Sequence, residues 1–268
     1  ARVLARLGES VQAVFPVGGP TGDRLMGLLA AEGVPADGLP IAGETRESFT
    51  VREVTTGREL RFVLPGPTLS QAEWQACLDR LREAPAGQWW IASGGLPPGV
   101  PSDFFARLAR LAREAGCRLV VDTSGEPLRA ALEEGVYLVK PSLREMRELT
   151  GTPLDTLAQQ REAAQALVAC GSSKVVALSL GAQGALLATA TGTLVANAPE
   201  VPVVSTVGAG DSFLAALVSS LAHQTDPSKA FRRALAAGGA ALLAPGTALC
   251  QPRDIERLEA QVEVRALS

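Results

Sequence analysis

The most informative stretch of the sequence is STVGAGD, residues 205–211. It follows an apolar run at 201–204 and opens a segment, 212–221, whose apolar residues recur with the period of a helix. The small residues at 208–210 leave room for backbone N–H groups to converge, and the positive end of the helix points at the same place. The stretch therefore predicts a cradle for phosphate at the start of a helix.

Asp211 adds a carboxylate to this cradle. An anion cradle beside a base suits phosphoryl transfer to an alcohol, because the base can accept the proton of the attacking hydroxyl. The alternative is a glycine-rich turn in which Asp211 only caps the helix. Since short glycine motifs recur by chance, the spacing alone gives the two interpretations equal weight.

The composition narrows the class of protein. A chain of 268 residues with 47% hydrophobic content can bury a sizeable core in one domain, with or without a small appendage. A net charge of -3 does not suggest non-specific nucleic-acid binding, and no apolar run predicts a membrane span. The single histidine, His223, excludes a His-rich metal site. Four scattered cysteines without a C-x-x-C motif predict reduced thiols in a cytoplasmic protein.

Short apolar strands and amphipathic helices alternate along most of the chain. This rhythm predicts one α/β domain over residues 1–268, with a mostly parallel central sheet covered by helices on both faces. Strands are predicted at 11–17, 89–92, 118–121, 136–139 and 174–180. Helices are predicted at 1–7, 22–31, 71–83, 101–114, 126–133, 143–149, 156–169, 211–222, 228–243 and 252–262.

Two hairpins interrupt this rhythm. Residues 48–54 and 59–64 alternate in pattern around TTG at 55–57, which predicts a hairpin that projects from the main sheet. A second hairpin is predicted at 185–189 and 193–196, around Thr191 and Gly192.

Several polar or glycine-rich segments follow predicted strands. Because ligands of doubly wound sheets bind beyond the carboxyl ends of the strands, their shared location predicts a site better than any one segment does. Asp122, in one of them, either holds a loop or lies near that site. The segments are SGGLP 93–97, DTSG 122–125, KPS 140–142, SLG 179–181 and the loop 208–211.

Seven motifs, in order, resemble those of the ribokinase-type (PfkB) sugar kinases over essentially the whole chain. They are TR 45–46, RFVLPG 61–66, SGGLPPG 93–99, VDTSG 121–125, LVKP 138–141, SLGAQGA 179–185 and STVGAGD 205–211. Ser205, where most relatives carry Asp, favours the branch of minor, type II bacterial 6-phosphofructokinases. The resemblance implies a ribokinase-like three-layer α/β/α fold with a small β lid at about 44–66.

The resemblance also implies roles for individual residues. Asp211 would be the general base, and Gly208, Ala209 and Gly210 would form the anion hole for the transferred phosphoryl group. The residues implied in ATP binding are Lys140, Ser142, Glu145, Ser179, Gly181, Gly184, Thr206 and Gly239. Of these, Glu145 would also hold Mg²⁺ through a water, and Gly239 would face the adenine.

On the acceptor side, the resemblance implies that Arg46 binds the sugar's phosphate and that Gly94 and Gly95 line the sugar site. Without the family, a surface ion pair with Glu44 or Glu47 is the favoured interpretation of Arg46, because exposed arginines are common. Backbone carbonyl groups match the family's potassium site at Ser205, Val207, Ala241, Ala244 and Gly246.

The chain departs from the family pattern in places that bear on function. Ser142 stands where the family usually has Asn in an N-x-x-E motif, which weakens or removes a contact with magnesium and phosphate. Gly95 stands where the nearest relatives have Ser, which removes a hydroxyl near the sugar. The family's glycine-rich sugar motif and first strand would precede Ala1, so we expect an N-terminally incomplete chain.

These observations predict an ATP-dependent sugar-phosphate kinase that converts fructose 6-phosphate to fructose 1,6-bisphosphate in glycolysis, with Mg²⁺ and K⁺ as its ions. The alternatives are a 1-phosphofructokinase, a tagatose-6-phosphate kinase, or a nucleotide-binding fragment without catalytic activity. Exposed strand edges tend to find partners, and the family's lid strands often pair with another subunit, so we also expect a homodimer through the lid hairpin. Nucleic-acid and membrane partners are not expected.

Overall fold

The computed structural model describes residues 1–56 and 58–267, apart from the side chains of Arg52, Glu59 and Arg61. Gly57, in the predicted hairpin turn, lies outside the described residues. The strands are β1 (Ala13–Val17), β2 (Ala36–Pro40), β3 (Ser48–Arg52), β4 (Glu59–Val63), β5 (Trp89–Ser93), β6 (Arg118–Asp122), β7 (Val136–Val139), β8 (Ser173–Ser179), β9 (Ala185–Thr189), β10 (Gly192–Ala196) and β11 (Val264–Leu267). The helices are α1 (Arg2–Arg6), α2 (Gly19–Ala31), α3 (Gln71–Arg82), α4 (Phe104–Glu114), α5 (Gly125–Glu134), α6 (Leu143–Thr150), α7 (Leu157–Ala169), α8 (Ala209–Ala222), α9 (Pro227–Leu242) and α10 (Pro252–Glu259).

The main sheet has the strand order β11-β10-β9-β8-β7-β6-β5. Strands β5 to β8 run parallel, and β9, β10 and β11 continue the sheet antiparallel. The parallel strands therefore bring their carboxyl ends to one edge: Ser93 pairs with Asp122, and Ser142 forms a bridge with Ser179. The predicted gathering of polar segments at this edge is confirmed.

Helices cover both faces of the sheet, as predicted. Successive side chains of a strand point to opposite faces, and two neighbours in β6 show the consequence. Val121 packs in a core with Phe105 of α4, whereas Val120 packs in a second core with Phe231 of α9. The domain thus has three layers, with α3 to α7 on one face and α8 and α9 on the other.

Two small sheets stand apart from the main one. Strands β1 and β2 pair in parallel, and β3 and β4 form the antiparallel hairpin predicted from their alternation. The hairpin register places Phe49 opposite Phe62, so the predicted lid is a two-stranded ribbon.

Strands β2 and β11 were not predicted. β2 reads ADGLP and β11 reads VRAL, and neither carries a run of alternating or β-branched residues long enough to signal a strand. Each forms because a partner strand offers free backbone groups: β1 for β2, and β10 for β11. Conversely, the apolar run 201–204 is not a strand; it leads from β10 to α8 without regular structure.

Local chemistry explains where several helices begin. Helices α3, α6 and α7 each begin with a capping box, in which a hydroxyl accepts an N–H from the third helical residue and that residue's side chain accepts the cap's N–H. The pairs are Ser70 with Glu73, Ser142 with Glu145, and Thr156 with Gln159. Among the helices described, none combines the length and the apolar character that a membrane crossing requires.

Candidate active site

The start of α8 is open to a ligand. Gly208 precedes the helix with φ of 80°, a left-handed conformation that glycine adopts without strain. Ser212 N–H donates to the Gly208 carbonyl at 2.8 Å, so the helix starts here. No side chain described caps this end. Ala209 N–H reaches the Thr206 carbonyl at 3.5 Å, and among the described residues no hydrogen bond occupies the N–H groups of Gly210 and Asp211, which remain available to an anion.

Asp211 and these amide groups face the same cavity, which has a volume of about 300 Å³. Among the described residues, most of the wall comes from the predicted loop and one residue comes from the lid. The lining residues are Thr50, Asp122, Thr206, Val207, Gly208, Gly210 and Asp211. The cradle and the carboxylate therefore open onto one space, which is the arrangement that phosphoryl transfer to a hydroxyl requires.

Lys140 follows β7, lies behind the cavity wall beside Asp122 and Gly210, and is only 7% exposed. Its Nζ lies 3.1 Å from Asp122 Oδ1. A Cβ placed on Gly210 would lie 3.6 Å from the same Nζ, so the ammonium group adjoins the cradle. A buried positive charge at this place adds to the field of the helix start and favours a phosphate.

Asp122, which the sequence left without a role, belongs to the site. It ends β6, lines the cavity and pairs with Lys140. Burial raises the pKa of Asp122, the Lys140 ammonium opposes that shift, and the carboxylates of Asp211 and Glu145 raise the pKa further. The only sequence signal for Asp122 was its position directly after a buried strand. A carboxylate at that position is equally typical of a residue that holds a loop and of a residue that lines a site.

Glu145 and Ser142 are held by the capping box of α6. Ser142 N–H donates to Glu145 Oε2 at 2.7 Å, and Glu145 N–H donates to Ser142 Oγ at 3.2 Å. Serine thus fills the position of the family's asparagine as a helix cap, but it has no amide group to offer a ligand. Its predicted contact with ATP therefore depends on a hydroxyl that already accepts a hydrogen bond.

The predicted nucleotide loop follows β8. Ser179 N–H donates to the Pro141 carbonyl at 2.9 Å, which ties this loop to the segment that carries Lys140. Gly181 has φ of 62° and open space around it. Gly184 has φ of 100°, and a Cβ there would lie 2.1 Å from the Ala196 carbonyl oxygen, so packing alone requires glycine at 184.

Gly239 of α9 is buried, and a Cβ there would lie 2.5 Å from Cγ of Pro199. This contact accounts for the glycine without any ligand, because the helix and the proline ring could not otherwise approach so closely. The contact between Gly239 and adenine remains a prediction.

The five carbonyl groups of the predicted potassium site lie on two adjoining segments. Val204 N–H donates to the Leu242 carbonyl at 2.8 Å, which joins the segment before α8 to the end of α9. Gly246, after α9, adopts φ of 54° and turns the chain. Ser205 and Val207 lie on the first segment, and Ala241, Ala244 and Gly246 lie on the second.

Arg46 lies between the base of the lid and the loop after β5. A Cβ added to Gly66 would lie 3.6 Å from Cδ of Arg46 and 3.6 Å from Cβ of Pro97, so the three residues are close neighbours. Among the described residues Arg46 forms no ion pair, and Glu44 instead accepts a hydrogen bond from Thr21 Oγ1 at 2.7 Å. The ion-pair interpretation of Arg46 is therefore not supported.

Gly94 and Gly95 lie at the end of β5. Gly94 has φ of 107°, and its N–H donates to the Asp122 carbonyl at 2.9 Å. The predicted sugar-site glycines thus adjoin the cavity wall through Asp122, and neither contributes a side chain to it.

A comparison with protein families agrees with this geometry. A family model described as "pfkB family carbohydrate kinase" matches residues 1–254. The chain belongs to this family. It is a phosphotransferase that acts on a sugar hydroxyl and uses ATP and a metal ion.

Named relatives include 6-phosphofructokinases and 1-phosphofructokinases. The chain is 46% identical to "ATP-dependent 6-phosphofructokinase isozyme 2" of Mycobacterium tuberculosis over 258 residues, which are 96% of this chain and 76% of the relative. It is 30% identical to "1-phosphofructokinase" of Bacillus subtilis over 240 residues, which are 90% of this chain and 78% of the relative.

Solved structures confirm the fold. Phosphofructokinase-2 from Escherichia coli in complex with potassium superposes with a TM-score of 0.94 at 39% identity, covering 97% of this chain and 85% of that one. Ribokinase of Arabidopsis thaliana superposes with a TM-score of 0.73 at 20% identity, covering 97% and 85% of the two chains, and bears on the fold alone. The predicted ribokinase-like three-layer fold is confirmed.

Proposed function

We propose that this kinase transfers the γ-phosphoryl group of ATP to the C1 hydroxyl of fructose 6-phosphate, giving fructose 1,6-bisphosphate in glycolysis. The observation that carries the proposal is the shared cavity, in which a carboxylate and an amide cradle meet. The similarity to a named 6-phosphofructokinase at 46% identity supports this acceptor over the others.

In the proposed reaction Asp211 accepts the proton of the C1 hydroxyl as that oxygen forms a bond to the γ-phosphorus. The bond from the γ-phosphorus to the bridging oxygen breaks, and ADP leaves with the electron pair. Amide groups at 208–210 and the Lys140 ammonium stabilise the charge that spreads over the transferred oxygens, because the helix start and the buried Lys140 side chain orient these donors before the phosphoryl group moves.

Mg²⁺ fits the residues present as a partner of ATP. Among the described residues, no three acidic, cysteine or histidine side chains form a cluster that could hold a metal by themselves. Mg²⁺ usually takes one or two carboxylates together with substrate phosphates and water, and Glu145 would provide a carboxylate through a water. When bound, Mg²⁺ neutralises charge on the phosphates.

K⁺ would lie at the carbonyl groups of Ser205, Val207, Ala241, Ala244 and Gly246. The adjoining segments that carry these groups support this proposal. The relative from E. coli was solved in complex with potassium.

Arg46 would bind the 6-phosphate of the acceptor. Its guanidinium group is free of ion pairs with the described residues and lies beside the loop after β5. A guanidinium binds phosphate through two parallel hydrogen bonds, which suits a fixed distance between the sugar's phosphate and the reacting hydroxyl.

A coupled assay with three acceptors tests the substrate. We expect kcat/KM to be highest with fructose 6-phosphate and lower with fructose 1-phosphate and tagatose 6-phosphate. A preference for fructose 1-phosphate would contradict the proposal and favour the group that includes the B. subtilis relative. ATP binding without turnover on any acceptor would favour a nucleotide-binding protein without activity.

A homodimer through the lid is the proposed assembly. Phe49 and Phe62 stack with ring centroids 5.0 Å apart, and both remain about half exposed. Val51 and Leu60 extend this apolar face along the hairpin register. A contiguous apolar face on an exposed ribbon is typical of a protein interface, and a second copy of the chain would cover it.

We place the enzyme in the cytoplasm. Cys77, Cys117, Cys170 and Cys250 are all free thiols in the structure. Free thiols in a chain of this size are typical of a reducing compartment.

A further inference from the structure

We propose that Thr50 is an acceptor-binding residue whose hydroxyl hydrogen-bonds the sugar beside the reacting centre and helps to choose among sugar phosphates. This inference rests on the proposed function, because it needs a sugar in the cavity. Thr50 lies in β3 of the lid, outside the motifs that carry the family resemblance.

The two faces of the lid differ in chemistry. Side chains alternate along a strand, so Thr50 points away from the face that carries Phe49 and Val51. That apolar face is the one on which Phe49 stacks against Phe62. Thr50 therefore lies on the opposite face of the ribbon, where it is not needed for the proposed dimer contact.

Among the lid residues whose side chains the structure describes, Thr50 alone lines the cavity of Asp211. The other described lining residues belong to the main domain, which contributes the amide cradle and the two carboxylates. Thr50 is exposed, and among the described residues no hydrogen bond occupies its hydroxyl. Its hydroxyl is thus available to a ligand that binds between the lid and Asp211.

The chemistry of this space favours a sugar oxygen over a phosphate as the partner of Thr50. A hydroxyl can donate and accept, as a polyol requires, but it carries no charge with which to attract a phosphate. Lys140, the start of α8 and Arg46 already supply positive charge for phosphates. The carboxylates of Asp122 and Asp211 beside Thr50 make a hydroxylated carbon skeleton the better neighbour.

Few other uncharged side chains described in the cavity wall could form a hydrogen bond with the sugar. Gly94 and Gly95, on the side of the main sheet, have no side chain to offer. Thr206, the second hydroxyl in the cavity wall, lies just before the cradle on the side proposed for the nucleotide. Of the two hydroxyl groups in the described cavity wall, that of Thr50 is therefore the one on the acceptor side.

The test compares Thr50→Val, which keeps the shape and the strand propensity, with Thr50→Ser, which keeps the hydroxyl. The net value of a neutral hydrogen bond corresponds to about a five- to tenfold change in binding. We expect Thr50→Val to raise the KM for the preferred acceptor by that factor and to leave the KM for ATP within twofold. Thr50→Ser should stay near the wild type.

Thr55→Val is the matched control, since it makes the same change on the same hairpin at an exposed turn residue outside the cavity wall. Direct titration of the acceptor in the absence of ATP should give the same loss of affinity for Thr50→Val and none for Thr55→Val. The ratio of kcat/KM for fructose 6-phosphate to that for tagatose 6-phosphate should also shift in Thr50→Val.

The proposal is overturned if Thr50→Val binds the acceptor as tightly as the wild type. It is equally overturned if the KM values for acceptor and ATP rise together, which would mean a structural role. Either result leaves the proposed function standing, because the wild type still phosphorylates its sugar. Failure of the wild type to use any of the three acceptors would instead remove the proposed function, and this inference with it.

Discussion

Three carboxylates and one ammonium group define the chemistry at the scale of single residues. Asp211 faces the cavity beside the cradle, and Lys140 pairs with Asp122 next to Gly210. The carboxylates of Asp122, Asp211 and Glu145 are close enough that two of them raise the pKa of the first. Such a surplus of negative charge suits a site that receives its substrate together with cations.

Replacing the proposed base tests the role of Asp211. We expect Asp211→Asn to lower kcat by about two to four orders of magnitude, the usual contribution of general base catalysis. The KM for ATP should change little, because the amide cradle and Lys140 remain. Steady-state kinetics would show this, with Asp155→Asn, at an exposed ion pair with Arg147, as a control that keeps full activity. A variant of Asp211 that keeps most of its kcat would contradict the role.

Asp122→Asn tests how a buried carboxyl group couples stability to pH. Burial raises the pKa of Asp122, so the folded state holds this proton more tightly than the unfolded state does. The stability that this proton contributes is complete below the ordinary carboxyl pKa and is lost as pH rises through the higher folded value. Asparagine does not titrate, so the free energy of unfolding of the variant should not show this decline.

The same variant should be a poorer enzyme. Without Asp122 the ammonium group of Lys140 loses its partner at 3.1 Å and its fixed position beside the cradle. We expect kcat/KM to fall about tenfold or more, and we expect the unfolding free energy at neutral pH to fall as well, because removing one partner of a buried ion pair leaves the Lys140 ammonium group uncompensated. Urea denaturation at pH 4 and pH 7, together with kinetics, would measure both, and Asp37→Asn, which removes the ion pair with Arg80, is the control. Unchanged kinetics would argue against a role for Asp122.

At the scale of elements, three helices begin with the same capping box, and one of them lies at the site. In α6 the box also orients Glu145, the proposed magnesium-side carboxylate. In α3 the same two residue types, Ser70 and Glu73, form the box outside the cavity wall. This repetition offers a comparison between two capping boxes of the same residue types, although Glu73 also accepts a hydrogen bond from Ala42 N–H at 2.6 Å.

Ser142→Ala and Ser70→Ala should each lower the free energy of unfolding by about 1 kcal/mol, since each removes one cap. Only Ser142→Ala should also lower kcat/KM for ATP, because it removes a hydroxyl at the site and loosens the first turn of α6, which carries Glu145; the contact between the backbone N–H of residue 142 and the Glu145 carboxylate remains. Chemical denaturation and kinetics on both variants would measure this. Equal kinetic effects would mean that α6 has no special part in ATP binding.

At the scale of the whole molecule, the lid is a ribbon with a cavity-facing side and an apolar side. The cavity-facing side carries Thr50, and the apolar side exposes Phe49, Val51, Leu60 and Phe62. A single hairpin is marginally stable in water by itself, so a partner on the apolar face would also hold the lid in place.

Phe49→Glu should convert the proposed dimer into a monomer, because it places a charge in the centre of the stacked pair. Val54→Glu is the matched control, since Val54 is 98% exposed next to the hairpin turn. Light scattering at micromolar concentration would give both masses. A wild-type monomer under these conditions would remove the proposed interface, and a dimeric Phe49→Glu variant would move it elsewhere on the molecule.

The amount that could be predicted from sequence differs between the fold and the site. The main strands and helices were predicted within a few residues, because apolar periodicity and glycine or proline at their ends are local signals. β2 and β11 could not be predicted, since their pairing comes from a neighbour and not from their own residues. Asp122 and Thr50 could not be assigned either, because a lone carboxylate or threonine carries no pattern.

The sequence by itself determined the alternation of strands and helices, the helix starts, and the glycine-rich loop that leads into Asp211. These depend on residues a few positions apart, whose backbone preferences act wherever the segment lies. Only the tertiary structure decided that Lys140 pairs with Asp122, that Gly239 packs on Pro199, and that Thr50 lines the cavity of Asp211. Those contacts join distant segments, and they form because packing both faces of the parallel strands brings their carboxyl ends to one edge.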